Sequence, residues 1–346
     1  MGLKTQLSRL SRLSAGVLHG KKGFLLTLLA LLLSTLLALM FSANISNPPD
    51  YKMDLVQNRI TILNYYVESF YDYAEQVTVV SGYTALQGMV EYIDSTGHYQ
   101  PNFRLRYPSC IKNGTVIGNV PCPGMDGRTL EAYLYNLSEA AGKELKLASR
   151  VVINNITVSQ DSDPFALDVH VNLTLFVSDK FANITATRAY DTIVPIIGVR
   201  DPIFLIDGTY SRIIRKTNIT KLELWNSRDL EQMYNEEEYR PTKEGVSFIH
   251  RLEGEYVIDD MGIESYVLHT LPEVMPLVNA SLSMVDYLFW NKTSFDCESR
   301  APMEIMAINQ SEVPSIPTIP LDPPFQLDAD HWSTFNLSSA GAWPTC

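Results

Sequence analysis

The sequence predicts an α+β protein, with an N-terminal transmembrane helix, an extracellular stalk helix and then a mainly antiparallel, β-rich ectodomain. Three observations predict it. An uncharged apolar run fills Phe24 to Ala43. Apolar residues at helical spacing follow from Val56 to Val77, and within Asp168 to Val177 the apolar Val169, Val171, Leu173 and Leu175 alternate with the polar Asp168, His170, Asn172 and Thr174. The expected boundaries are a basic cytoplasmic leader at 1–23, a membrane helix at 24–43 and a hinge and stalk helix at 44–94. A β-rich ectodomain at 95–312 and a Pro-rich connector with a docked C-terminal tail at 313–346 complete the chain.

The 346 residues are 46% hydrophobic and 19% charged, with 18 Gly and 19 Pro, which excludes a collagen-like, purely coiled-coil or wholly disordered chain. The formal net charge of −12 argues against nucleic acid as a partner, since phosphate binding needs a basic footprint.

The leader carries Lys4, Arg9, Arg12, Lys21 and Lys22 and no acidic residue. The twenty uncharged residues Phe24–Ala43 come next. As a helix they are roughly 30 Å long, about one hydrocarbon core, and longer than a cleavable secretory segment needs. The first acid after the span is Asp50, so the positive-inside bias puts the N-terminus in the cytoplasm and the body outside. The expected location is the cell membrane, crossed once, with membrane lipid as a partner.

Two features agree with export. Asn-x-Ser/Thr acceptors occur at Asn44, Asn113, Asn136, Asn155, Asn172, Asn183, Asn218, Asn279, Asn291, Asn309 and Asn336, eleven of the nineteen asparagines, and all follow the span. Such a density predicts a glycoprotein. The four cysteines, Cys110, Cys122, Cys297 and Cys346, also lie on the exported side, where an even number usually pairs. Of the three connectivities, Cys110–Cys122 with Cys297–Cys346 is expected, because the first pair brackets a short Gly- and Pro-containing loop.

Lys21-Lys22-Gly23-Phe24-Leu25, followed by an unbroken apolar helix, resembles the class III signal of archaeal type IV pilin-like surface proteins. The resemblance covers residues 21–43. It implies a prepilin-type peptidase that recognises Lys22, Gly23 and Phe24 and cuts after the glycine, and other pilin-like subunits as partners. Two departures stand beside it. Leu28 occupies the fifth mature position, where many pilins carry a Glu that pairs with a neighbour's amino terminus. Pro48-Pro49 also reads as a hinge after the membrane.

Val56, Ile60, Leu63, Val67, Phe70, Ala74 and Val77 form one helical stripe. A coiled coil and packing on a sheet are both compatible with it; Tyr65, Tyr66, Tyr71 and Tyr73 widen the surface and favour the sheet. Ser81-Gly82 weakens the pattern, and Leu86–Ile93 reads as a continuation or a second short helix. Residues 95–128 read as irregular, and Leu130–Leu147 as a helix. Val151–Val158, Asp168–Val177 and Ile184–Val199 predict three strands of an antiparallel meander, turned at Asp161/Asp163-Pro164 and Ser178-Asp179-Lys180. Ser227–Arg240 is a surface helix or a loop, while Phe248–Ile258 and Val274–Trp290 are apolar. The five prolines of 313–324 read as an extended connector, and Trp332 and Trp343 mark the tail as docked.

No catalytic residue, metal site or cofactor is expected. The six histidines include no H-E-x-x-H pair, and there is no Cys-x-x-Cys, G-x-S-x-G elbow, P-loop or Rossmann glycine string. Asp161 and Asp163 have the spacing of half a calcium loop without its remaining ligands, so a turn is the better reading. His170 falls on the wet side of its strand. The sequence therefore predicts a membrane-anchored surface glycoprotein that is not an enzyme, a structural or adhesive component of a pilin-like filament or secretion apparatus. An uncleaved signal-anchored envelope glycoprotein for adhesion is the alternative, and an extracellular hydrolase a third.

Overall fold

The structure is a computed structural model that describes residues 48–116, 120–206, 212–219, 225–255, 257–266, 305–308, 311–314, 326–337 and 339–342. It is a mixture of helices and antiparallel sheets, so the α+β class holds. The leader and the predicted span 24–43 lie outside the described residues; among those described, no helix is long and apolar enough to cross a membrane. Contacts divide the chain into a smaller unit, Met1–Tyr65 with Lys180–Ala182, and a larger one, Tyr66–Asp179 with Asn183–Cys346.

The first described element is one continuous helix, α1 (Pro48–Thr96). Pro48 and Pro49 open it, as proline can in a first turn, where no intrahelical N–H bond is lost. Within the smaller unit the helix leaves Met53, Leu55, Ile60, Ile62 and Tyr65 exposed, and the predicted stripe becomes buried only from Leu63 onward. The weak point expected at Ser81-Gly82 does not interrupt it, and Leu86–Ile93 is its continuation.

In the larger unit, β3 (Ala148–Ser159), β4 (Ala166–Ser178) and β5 (Asn183–Pro195) form the predicted antiparallel meander in the order β3-β4-β5. Strands β1 (Thr115–Val116) and β2 (Val120–Pro121) form a small hairpin before them. On central β4, Val169, Val171, Leu173, Leu175 and Val177 are buried and alternate with more exposed residues, all polar except Phe176. A bulge at Asn154 on β3 resets the register, so that Ile153 and Ile156 both stay on the buried side.

Helix α1 lies on that buried side. Its apolar residues Val67, Phe70, Ala74 and Val77 are buried, and its hydroxyls meet the sheet's polar atoms. Tyr66 Oη donates to Ser149 Oγ (2.8 Å), Tyr71 Oη donates to the Ala186 carbonyl (2.8 Å), and Thr78 Oγ1 shares a hydrogen bond with Tyr190 Oη (3.0 Å). Burial pushes the Tyr190 hydroxyl up to about 12. At the exposed margin, Arg188 Nη1 donates to Glu68 Oε2 (2.7 Å), and its guanidinium lies 4.7 Å from the Tyr71 ring centroid.

Residues 95–128, read from sequence as irregular, contain a helix, α2 (Phe103–Asn113), with Pro108 inside it. Its buried residues Phe103, Tyr107, Cys110 and Ile111 recur at helical spacing. The first free N–H, that of Phe103, donates to Glu253 Oε1 (2.7 Å), an acidic cap supplied from a distant segment. Gly114 (φ 76°) ends the helix in the left-handed region, its N–H bonded to the Cys110 carbonyl. Cys110 is bridged to Cys122, with Cα atoms 5.9 Å apart. Helix α3 (Leu130–Glu144) follows, capped by Thr129 Oγ1 on the Ala132 N–H (3.1 Å).

The remainder is built from short helices and antiparallel strands. Ser227–Asn235 is helix α4, with a full capping box between Asn226 and Asp229. Strands β6 (Tyr239–Ser247) and β7 (Gly262–Ser265) pair antiparallel around α5 (Phe248–Glu253). Strands β8 (Ile305–Ile308), β9 (Gln326–Asp328) and β10 (Ser339–Ala342) form a further three-stranded sheet, order β10-β8-β9, interrupted by α6 (Ala329–Phe335). In α6, Trp332 and Phe335 are buried, so this part of the tail is docked, while Cys297, Trp343 and Cys346 lie outside the described residues.

Two glycines set how closely α1 approaches its neighbours. A Cβ at Gly82 would lie 2.7 Å from Val194 Cγ2, and one at Gly88 would lie 2.2 Å from the Pro123 carbonyl oxygen. Gly82 also offers its carbonyl to the buried Tyr107 hydroxyl (2.9 Å). Gly88→Ala should raise intrinsic helix propensity yet destabilise the fold by about 1–3 kcal/mol, because a backbone atom must move. Denaturant unfolding measures the difference, and a stabilised variant would show that the helix does not seat against the Cys122 loop.

Candidate functional site

The sheet β3-β4-β5 presents its second face away from α1, and three of the seven described sequons lie there. Three sequons lie on the three strands: Asn155-Ile156-Thr157, Asn172-Leu173-Thr174 and Asn183-Ile184-Thr185. Side chains two residues apart in a strand share a face, so each asparagine and its threonine point outward while the residue between points inward. Leu173 is fully buried and Ile156 nearly so. Asn155 stands directly opposite Asn172, and Asn183 opposite Ser178.

Hydrogen bonds organise this face. Asn154 Nδ2 donates to Asn172 Oδ1 (2.8 Å) and to Thr174 Oγ1 (2.9 Å), and Thr174 Oγ1 shares a bond with Thr187 Oγ1 (2.9 Å). The first bond uses the amide oxygen of Asn172, not the nitrogen that a glycan would occupy. His170 Nδ1 and Asp191 Oδ1 are 2.6 Å apart on the same exposed surface. The Arg150 guanidinium covers the half-exposed Phe176 ring at 5.4 Å from its centroid.

The other described sequons lie on separate elements. Asn113 ends α2, and its Oδ1 accepts from the N–H (3.1 Å) and hydroxyl (2.8 Å) of Thr115, the third residue of the same sequon. Asn136 lies on α3, Asn218 follows the buried Thr217, and Asn336 (φ 49°) follows α6. Asn113, Asn136, Asn155, Asn183, Asn218 and Asn336 are exposed and Asn172 is half-buried. Asn44, Asn279, Asn291 and Asn309, and the processing residues Lys22, Gly23 and Phe24, lie outside the described residues.

A groove of about 530 Å³ runs between edge strand β3 and helix α3, lined by Ser149–Ile153, Glu131, Tyr135, Ser138, Glu139 and Lys112. Lys112 Nζ donates to the Ile153 carbonyl (3.4 Å), and Ser149 Oγ donates to Ser138 Oγ (3.3 Å). The groove combines an exposed tyrosine with both signs of charge.

Sequence reasoning missed two buried polar clusters. In one, Glu264 takes Tyr266 Oη (2.8 Å) on one oxygen and His331 Nε2 (2.9 Å) on the other, and it is ion-paired to Arg240. Burial alone would lower the Arg240 guanidinium, but Glu264 outweighs it; burial, reinforced by Glu264, pushes the Tyr266 hydroxyl well up. The rings of Trp225 and Phe335 lie over Arg240, each centroid at 5.4 Å. This cluster ties α6 to strands β6 and β7. In the other, Asp201, Tyr239 and Arg251 are joined in the interior. Among the described residues, no group of three or more His, Cys, Asp and Glu side chains is placed to hold a metal ion.

The acidic turn between β3 and β4 uses its carboxylates locally. Asp168 accepts from the N–H groups of Asp161 (2.9 Å) and Ser162 (3.0 Å) and from the Ser162 hydroxyl, and Asp163 accepts from the Phe165 N–H (2.8 Å). Gln160 Nε2 closes the turn on the Pro164 carbonyl (2.7 Å).

Comparison with protein-family models, with curated proteins and with solved structures returned no match.

Burial alone would raise the Asp168 carboxyl, but its bonds from Ser162 and Asp161 outweigh that and hold it below its ordinary value. A carboxylate lowered on folding adds stability above about pH 4 and loses it as pH falls through the folded value. Asp168→Asn should therefore lower the urea midpoint near neutral pH and flatten its decline toward about pH 2. An unchanged acid limb would show that the turn does not depend on this charge.

Proposed function

We propose that the chain is a membrane-anchored surface glycoprotein, similar at its N-terminus to archaeal type IV pilin-like proteins, and a structural or adhesive component of a surface filament or secretion apparatus. The observation that supports this reading best is the placement of the sequons. None of the seven described is buried, and three share the outer face of one sheet, whose other face is covered by α1. Glycans on that face would shield exposed edge and loop backbone from proteases. The predicted helix 24–43 supplies the anchor in lipid, and the exposed apolar residues Met53, Leu55, Ile60 and Ile62 of α1 offer a surface for neighbouring subunits.

A second reading is an uncleaved, signal-anchored envelope glycoprotein that never enters a filament. Leu28, in place of the carboxylate that many pilins use between subunits, favours it. Both readings are non-enzymatic and need no cofactor.

The test is glycopeptide mass spectrometry on protein isolated from native membranes. The expected result is glycan mass on most of Asn113, Asn136, Asn155, Asn172, Asn183, Asn218 and Asn336. All seven asparagines unmodified would overturn both readings. Recovery in sheared filaments favours the first reading over the second.

A further inference from the structure

At one end of the sheet β3-β4-β5, residues 148–150, 176–178 and 183–185 line an open cavity of about 350 Å³, all of them within the larger unit. Strand pairing sets Arg150, Phe176 and Thr185 in one row across the three strands, and Ala148, Ser178 and Asn183 in the next. Leu175 and Val177, on either side of Phe176, are buried, so alternation turns both rows outward. None of the lining residues comes from α1, which covers the other face. The cavity therefore lies on the outer face, and its size falls within the roughly 300–1,000 Å³ of small-ligand sites.

Three features define what it can hold. First, Phe176 is 39% exposed on a strand whose neighbouring outward residues are Asp168, His170, Asn172, Thr174 and Ser178. Covering such a ring with an apolar surface releases water and is favourable. Second, the ring is rimmed by hydrogen-bonding groups. The Arg150 guanidinium lies 5.4 Å from its centroid, and Ser178, Asn183 and Thr185 add hydroxyls and an amide. A pyranose is the matching shape, because its faces carry C–H groups and its edges carry hydroxyls. Third, Asn183 is both a lining residue and the acceptor of the sequon Asn183-Ile184-Thr185. It stands diagonal to Phe176 across β4 and β5, a spacing of about 7–8 Å that aromatic and long side chains bridge. Asn155 and Asn172 have no phenyl or indole ring opposite or diagonal to them in the register.

We propose that Phe176 is the stacking platform for the first sugar of a glycan carried on Asn183. The sugar lays a C–H face on the ring surface that Arg150 leaves open, and its hydroxyls meet Arg150 and Ser178. A sugar joined to Asn183 Nδ2 starts inside the cavity, and a short tether gives it an effective concentration on the order of millimolar, so contacts too weak for a free sugar suffice. The proposal rests on the glycoprotein reading above and deepens it: this glycan is a packed part of the fold and covers the end of the sheet.

The test uses the full chain purified from native membranes, with occupancy read by glycopeptide mass spectrometry and Tm measured in a double-mutant cycle. The four chains are the natural sequence, Asn183→Gln, Phe176→Leu and the double variant; leucine keeps apolar bulk but no aromatic face. Loss of the Asn183 glycan should lower Tm by about 2 °C or more beyond its effect in the Phe176→Leu background. Phe176→Tyr, which keeps the ring, should keep that difference. The same cycle on chains made in a bacterial host without N-glycosylation should show none. An equal fall of Tm in both backgrounds overturns the proposal, as does disappearance of the difference in Phe176→Tyr. A difference of the same size in the bacterial chains also overturns it, since the asparagine side chain and not a sugar would then be the partner. If Phe176→Leu does not fold, Phe176→Thr takes its place with the same expectation. A bare Asn183 beside glycans at other sequons overturns this proposal and leaves the glycoprotein reading standing, whereas seven bare asparagines overturn both.

Discussion

The seating of α1 on the meander of β3, β4 and β5 is the constraint on which the rest of the larger unit depends. A three-stranded sheet has one apolar face to bury, and α1 covers it. Close seating is bought at two glycines, each of which costs a helix about 1 kcal/mol relative to alanine. Gly82 admits Val194 and Tyr107, and Gly88 admits the backbone of Pro123, the residue after Cys122. The hydroxyls of Tyr66, Tyr71 and Thr78 match the polar atoms left at this interface, so the contact fixes register as well as burying area.

Covering one face decides what the other can do. With the apolar residues of β4 turned toward α1, the outer face receives Asn, Thr, His and Asp, and it owes its order to side-chain hydrogen bonds across the strands. The strand sequons serve both faces at once. An Asn-x-Thr triplet has the period of a strand, so an apolar residue at x enters the core while its neighbours meet solvent. Asn172-Leu173-Thr174 shows this most directly, with Leu173 fully buried between two outward residues. The same geometry lets a strand hold the fold and present a sequon to solvent without compromise to either.

Much of this was legible in the sequence because it rests on periodicity. The alternation from Asp168 to Val177 fell inside β4, the neighbouring strands and their turns were placed within a few residues, and the stripe through Val67, Phe70 and Ala74 is the buried face of α1. Helix α2 was missed because Pro108 reads as a breaker, although Phe103, Tyr107, Cys110 and Ile111 carry a helical period around it. Gly82 reads locally as a weak point, and its value appears only when Val194 and Tyr107 are brought beside it. The polar clusters had no local signal at all: Arg251 reaches Asp201 across 50 residues and His331 reaches Glu264 across 67. Spacing along the chain carries no information about such pairs.

The proposed function turns on the border between Gly23 and Phe24, where a basic segment meets an uncharged apolar run. Removal of residues 1–23 would delete the five basic residues Lys4, Arg9, Arg12, Lys21 and Lys22 and leave the apolar run of the proposed anchor intact. N-terminal sequencing of the protein from native membranes tests this most directly. The account predicts a mature chain that begins at Phe24; a chain that still begins at Met1 would contradict the pilin-like reading and leave the signal-anchored glycoprotein in its place.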